Sequence, residues 1–249
     1  MAVRVAPAGG QTLDHPQPLL NKRRGGTLNR SCQKCSEVRF LWLIIYVLEK
    51  AMNGIGHAAA ELARVHNKYN LSGGFQSRAQ VGAKWPSTLG RSVELEDFYN
   101  DYEPVDVKIE TGFTPLKLFS LDSIEKGQVG YKWVGGESAV KLNNEWGHAF
   151  VVIMDDSGGG KPAIAVTNVK NTPVYASCSA VAPFKVSDSL ADFVFALAKL
   201  VEIVYGEFNI FEISDDDGLS SLFVARVNDE ISPLLGEENF ERFFDYFYG

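Results

Sequence analysis

Apolar residues recur along this chain with two different periods. Ile55, Ala59, Leu62, His66 and Tyr69 fall three or four residues apart, which predicts an amphipathic helix. Residues 71–82 are rich in Gly and Ser and read as a loop. Ser92 then stands as the N-cap of a helix with Leu95, Phe98, Tyr99 and Tyr102 on one side. Val105, Val107 and Ile109 alternate with Asp106 and Lys108, the pattern of a half-buried strand. Residues 116–119 read as another short strand, 121–126 as a helical turn and 130–133 as strand-like; the polar stretch 135–145 follows.

The most informative stretch comes next. Apolar residues 149–154 run into the turn Asp155-Asp-Ser-Gly-Gly-Gly160, followed by strands over 162–166 and 173–177. Ser187-Asp188-Ser189 opens the strongest helix, in which Leu190, Phe193, Val194, Leu197, Val201 and Val204 form a stripe and Gly206 is the stop. Asp192 in its first turn complements the helix dipole. Residues 219–227 are apolar and ambiguous in type, and a last helix spans Glu237–Tyr248 with Phe240, Phe243, Phe244 and Phe247 as its stripe. Strands joined by tight turns predict an α+β fold: a twisted, largely antiparallel sheet with helices packed on it.

The N-terminal part does not share this pattern. Residues 1–36 have no helical or strand period, and the apolar run Phe40-Leu-Trp-Leu-Ile-Ile-Tyr-Val-Leu48 is well short of the ~20 residues a membrane helix needs. It also lies too far from Met1 for a signal peptide, although a basic arm before a short apolar run can serve as a weak membrane or partner anchor. Glu49-Lys50-Ala51 precedes Met52, and Glu and Lys codons are purine-rich, like a bacterial ribosome-binding site. The expectation is that translation starts at Met52. Residues 1–51 would then be a disordered or untranslated extension, and 52–249 a single domain.

Composition is that of an ordinary globular protein, 45% hydrophobic and 22% charged over 249 residues. Charge changes the picture more. Residues 1–50 carry a net +5, whereas the remainder holds sixteen basic and twenty-eight acidic residues, a net −12. Such a body repels nucleic acid and steers toward basic surfaces, although acidity also simply serves solubility. Three cysteines, Cys32, Cys35 and Cys178, give no disulfide framework and suit a reducing cytoplasm. Cys32 and Cys35 have the C-x-x-C spacing, but no second pair or nearby His completes a zinc site.

The series of elements resembles the SUKH superfamily, which includes fungal cell-wall regulators and many bacterial toxin-immunity proteins. The matching pieces are Trp85-Pro86 before Glu96-Asp-Phe-Tyr99, and Leu116-Lys-Leu-Phe119 before Ile124. Residues 149–156 with Gly160, Ala163-Ile-Ala-Val166, Pro173-Val-Tyr175 and 187–200 complete the set. The resemblance covers about residues 84–205 and rests on apolar and turn pattern, with no invariant motif. It implies a SUKH-like sheet, no catalysis, no cofactor and a protein partner, commonly a toxin domain. It transfers no contact residues.

Candidate chemistry is sparse. His148 before an apolar strand, with Asn168 to orient it, has the look of a papain-like histidine, and Cys178 is the available thiol, although it follows in the wrong chain order. A cysteine hydrolase using Cys178 and His148 is therefore one alternative, and a regulatory adaptor with a housekeeping protein partner another. Gly158-Gly-Gly-Lys161 lacks phosphate-loop spacing and leads to Pro162 and a strand, so it reads as a hairpin turn. Asp155-Asp156 and Asp215-Asp-Asp217 lack EF-hand spacing and read as solvated turns; no metal is expected. Recognition has better candidates. Glu137, Glu145 and Trp146 precede the hairpin and Asp155 and Asp156 lie at its tip, an aromatic among acids suited to a basic partner such as a toxin domain.

Overall fold

Helix α1 (Ile55–Lys68) forms where the helical period places it, burying Ile55, Ala58, Ala59, Leu62, Val65 and His66. The computed structural model describes residues 54–78, 84–135, 141–178, 182–215 and 218–249. The expectations for Cys32, Cys35, the run 40–48 and the start at Met52 lie outside these residues. After α1, Asn70 and Gly73 adopt positive φ and turn the chain into strand β1 (Gly74–Gln76). A Cβ on Gly73 would lie 2.3 Å from the Asp106 carbonyl, so only glycine fits this turn. The expected loop over 71–82 therefore contains a strand. Phe75 is its one large apolar residue, too little for a period, and pairing with a later strand is what orders it.

Helix α2 (Val93–Asp101) begins at Ser92, whose hydroxyl accepts from the Leu95 N–H at 3.2 Å. The alternation at 105, 107 and 109 proves to be two strands, not one. β2 (Glu103–Val105) pairs with β1, Asp106 takes a φ of 53°, and β3 (Lys108–Ile109) joins a different sheet. Asp tolerates the left-handed conformation better than most residues, and Lys117 bonds its carboxylate at 2.8 Å. β4 (Leu116–Leu118) and α3 (Leu121–Ile124) follow as expected, with a 3-10 turn at Lys126–Gln128. The expected strand over 130–133 is mostly turn. Only β5 (Trp133–Val134) is extended, paired with β6 (Lys141–Leu142).

The central strands are β7 (Phe150–Asp156), β8 (Ala163–Val166) and β9 (Val174–Ala176), close to their expected bounds. β10 (Phe184–Ser187) has no counterpart in the sequence reading, because four residues at a sheet edge carry too short a pattern. The order β10-β9-β8-β7-β4-β3 is antiparallel at every pairing. Helix α4 (Leu190–Glu202) is capped by Ser189 and ends in a π turn at Ile203–Glu207. A small hairpin of β11 (Ser214–Asp215) and β12 (Gly218–Leu219) leads to α5 (Ser221–Leu235), which settles the ambiguous stretch as helix, and α6 (Glu237–Tyr248) closes the chain. The fold is α+β, with helices packed on a mostly antiparallel sheet.

In β8 and β9 the two sheet faces differ in side-chain size. Val151, Ile153, Ala163, Ala165, Val174 and Ala176 belong to the core shared with α1, α4, α5 and α6. Three of these are alanines, which let helices approach closely. Period-two alternation sends Val152, Ile164 and Tyr175, opposite one another in the ladder, to the other face. The apolar stripes of α1, α5 and α6 lie outside residues 84–205, yet Leu62, Val65, Phe223, Phe243 and Phe247 are buried in the same core.

Candidate protein-binding face

The face away from the helices is covered by the chain between α3 and β7. Gln128 anchors it. β4 ends at Leu118, and beyond that point the Gln128 carboxamide occupies the edge of β7. Its Nε2 donates to Val152 O (2.9 Å) and Ile124 O (2.8 Å), while Oε1 accepts from Val152 N (2.9 Å). The pairing of β7 with β8 shifts register between Val152 and Met154, beside this insertion. One glutamine thus satisfies backbone groups that a longer β4 would have paired.

Tyr131 and Trp146 complete the cover. The Tyr131 hydroxyl donates to Asp155 Oδ2 at 2.6 Å, and its ring lies 5.3 Å from Trp146. Trp146 meets Phe150 edge-on at 5.6 Å, and Phe150 stacks on Tyr175 at 6.3 Å. All four rings are half-buried. On the same stretch of chain as Tyr131 and Trp146, Val129, Val134 and Leu142 are 61%, 37% and 41% exposed. Aromatic residues held rigidly with part of their surface open, beside exposed aliphatics, have the composition of an interface core.

The five residues singled out from the sequence have different fates. Glu145 is exposed, and its carboxylate has no hydrogen bond or ion pair among the described residues. Trp146 is half-buried with its Nε1 unpartnered. Glu137 lies outside the described residues. Asp155 is only 3% exposed, so it offers a partner no surface. Its Oδ1 accepts from the N–H of Asp156 (2.8 Å) and Lys161 (3.0 Å), and its Oδ2 from Tyr131. Asp156 is half-buried, and its Oδ1 accepts from Gly158 N (3.1 Å) and Gly160 N (2.9 Å). The two carboxylates build the Gly-rich hairpin turn, in which Gly159 has a φ of 76°. They sit at the tip, as read from the sequence, but the Oδ1 of each accepts from the turn's own backbone. Asp216 and Asp217 lie outside the described residues.

Burial sets the protonation behaviour here. It pushes the Asp155 carboxyl up from its ordinary value, against the pull of its three donors. Burial, then the bond to Asp155, pushes the Tyr131 phenol up. Lys132 is buried with Nζ on the Thr88 carbonyl at 2.9 Å, and burial lowers its pKa.

Exposed acids are distributed over the surface: Asp122, Glu125 and Glu145 on the segment that also carries exposed Lys126 and Lys141, Asp97 and Asp101 on α2, and Glu237, Glu238, Glu241 and Asp245 on α6. Negative charge is thus present beside the aromatic residues, at Glu145, as well as on the helices.

The structure parts Cys178 from His148. His148 precedes the first residue of β7, whereas Cys178 follows β9 and shares a cavity of about 790 Å³ with Asp156 at the last. The seven residues of β7 span about 20 Å. His148 and Asn168 do share one depression, but no thiol lines it. The imagined hydrolase pairing is thus not assembled. Gln128 and Tyr131, which hold the face together, were missed in the sequence, where a lone Gln in a turn carries no signal. Comparison with known proteins yields no relative: no family model matches the chain, and no curated protein or solved structure does either.

Proposed function

We propose that this domain is a non-catalytic protein-binding module of SUKH type, an immunity protein that occupies a cognate bacterial toxin in the cytoplasm. The observation that carries this reading is the packed cluster of half-buried Tyr131, Trp146, Phe150 and Tyr175, with exposed Val129, Val134 and Leu142 on the same stretch of chain as Tyr131 and Trp146. Affinity comes from these apolar surfaces, which water must leave on docking. The net −12 of residues 51–249 acts at longer range, steering a basic toxin domain toward the molecule. Inhibition is by occlusion of the toxin's substrate site, and neither metal nor cofactor takes part. Among the described residues no helix is long and apolar enough to cross a membrane.

The test begins with the neighbouring gene: where it encodes a secreted toxin, protection of cells against that toxin is assayed, with binding measured by calorimetry. Leu142→Glu and Glu145→Lys change exposed side chains, so their unfolding transitions stay at wild-type positions. Leu142→Glu abolishes protection, and Glu145→Lys weakens binding in low salt more than in high salt. Undiminished protection by both variants overturns the assignment of this face. A neighbouring gene that encodes no toxin, with no binding to purified toxin domains, overturns the immunity reading.

A further inference from the structure

His148 and Asn168, which the protein-binding reading leaves unused, come together with Arg91 around an open depression of about 610 Å³. This lies within the range of small-molecule pockets. Its lining holds one arginine, one histidine, one carboxamide and the Phe150 ring, with Gly90 and Gly147 contributing bare backbone. No carboxylate lines it, in a body whose net charge is −12.

The walls are fixed before any ligand arrives. The Trp85 indole N–H donates to Gly90 O at 3.0 Å, pinning the loop that carries Arg91. Gly90 abuts β8 so closely that a Cβ there would lie 2.2 Å from Thr167 Oγ1. Thr167 in turn donates to Ala149 O through both its N–H (2.9 Å) and its hydroxyl (3.0 Å), tying the two sides together. Arg91 Nε is held by Glu96 Oε1 at 2.5 Å, which orients the guanidinium and leaves its terminal amino groups for another acceptor. Phe150 is braced between Trp146 and Tyr175.

We propose that this depression binds a small phosphate monoester. The phosphate takes hydrogen bonds from Arg91, His148 and Asn168, and the apolar body of the ester lies against Phe150. A guanidinium fork matches the geometry of phosphate oxygens, and preset walls reduce the ordering cost of binding. The site shares Phe150 with the aromatic cluster but needs no protein partner, and its polar groups, Arg91, His148 and Asn168, are no part of that cluster.

Titration of the protein with inorganic phosphate and with phenyl phosphate, followed by ¹H–¹⁵N correlation spectra, tests this. The expected result is saturable shifts at the amides of Gly90, Gly147, His148 and Thr167, with a Kd on the order of 1 mM for inorganic phosphate. Phenyl phosphate binds several-fold tighter. Arg91→Ala and His148→Ala, both at exposed side chains, each weaken binding roughly tenfold. Lys161→Ala, which removes a cation at the far end of the sheet, leaves affinity unchanged. Shifts scattered over surface lysines, equal affinity for the two probes, or wild-type binding by Arg91→Ala and His148→Ala overturns the proposal.

Discussion

Replacing Gln128 probes the junction on which the aromatic face depends. The side chain is 0% exposed and makes three hydrogen bonds, two to the backbone of Val152 and one to Ile124 O. At about 1 kcal/mol net per bond, Gln128→Ala costs about 3 kcal/mol. The Val152 N–H and C=O are then left buried without partners, which raises the loss toward about 5 kcal/mol. Gln128→Glu separates hydrogen bonding from packing, because it keeps the shape and one acceptor but replaces the donor with an oxygen. That oxygen faces the carbonyls of Val152 and Ile124. The ionised form is therefore disfavoured in the folded state, and the folded pKa of the new carboxyl rises above the ~4.3 of an unfolded glutamate. A raised folded pKa has a definite sign: the deficit relative to wild type is full at high pH. It shrinks as pH falls through the folded pKa toward the unfolded one, where a protonated carboxyl can again donate. Urea unfolding of wild type and variant, compared at each pH from 7 to 4, measures this. A Gln128→Glu protein within about 0.5 kcal/mol of wild type at pH 7, or a deficit that does not change with pH, refutes the role assigned to the carboxamide.

Three further outcomes follow from buried polar groups. Glu103, fully buried, accepts from Arg78, from Gln76 Nε2 at 3.1 Å and from Leu121 N at 2.9 Å, so Glu103→Ala leaves Arg78 with exposed Asp122 (3.2 Å) as its ion-pair partner and the Leu121 N–H without its acceptor, and costs about 3 kcal/mol. A double-mutant cycle with Arg78→Ala, read by thermal unfolding, returns a large coupling energy; additive losses exclude the ion pair. His66 is buried with its Nε2 unpartnered, and burial lowers its pKa. Above the unfolded value of ~6.5 this costs nothing, but below it the unfolded chain binds a proton that the folded chain refuses. Wild type therefore loses stability relative to His66→Leu as pH drops from 7 to 5, by up to about 1.4 kcal/mol per pH unit, and parallel pH profiles contradict this. The Asp155 pKa is raised by burial, so its ionised form costs stability that is recovered as pH falls through the folded pKa. Wild type gains on Asp155→Asn between pH 7 and 4 in urea unfolding, and a constant difference counts against the burial argument.

Elements with several periods of pattern were legible in the sequence. The helices α1, α4 and α6 and the hairpin of β7 and β8 emerge within a few residues of their predicted bounds, because each buries a repeated face. Elements defined by a partner were not. β1 carries one large apolar residue, and β10 is four residues at an edge; both exist because another strand offers hydrogen bonds. The alternation through Val105, Val107 and Ile109 was real for burial at 107 and 109, but the φ of Asp106 broke it, and no period reports one left-handed residue. Of the residues singled out beside the hairpin, Glu145 is exposed and Trp146 half-buried, whereas Asp155 is buried and uses its oxygens inside the fold. A pair of acids before a Gly-rich turn has the same sequence whether its oxygens face water or the turn's own N–H groups.

The unequal faces of the sheet bear on how binding and stability are related. Toward the helices, Ala163, Ala165 and Ala176 allow a close-packed layer that needs no specific polar contact to hold it. On the other face the larger Val152, Ile164 and Tyr175 are roofed by a chain excursion with little regular structure, fastened by Gln128 at Val152 and Tyr131 at Asp155. These same fastenings hold Tyr131 and Trp146 in the half-open positions a partner would meet. Were the excursion loosened, the rings would have to be ordered at the moment of docking, at about 0.5–1.5 kcal/mol for each immobilised side chain. A change at Gln128, with no surface to offer a partner, therefore weakens partner binding through the rings it positions. Leu142→Glu, by contrast, acts at the surface and leaves the fold alone. The two variants then differ in kind: the first lowers stability and affinity together, whereas the second lowers affinity only.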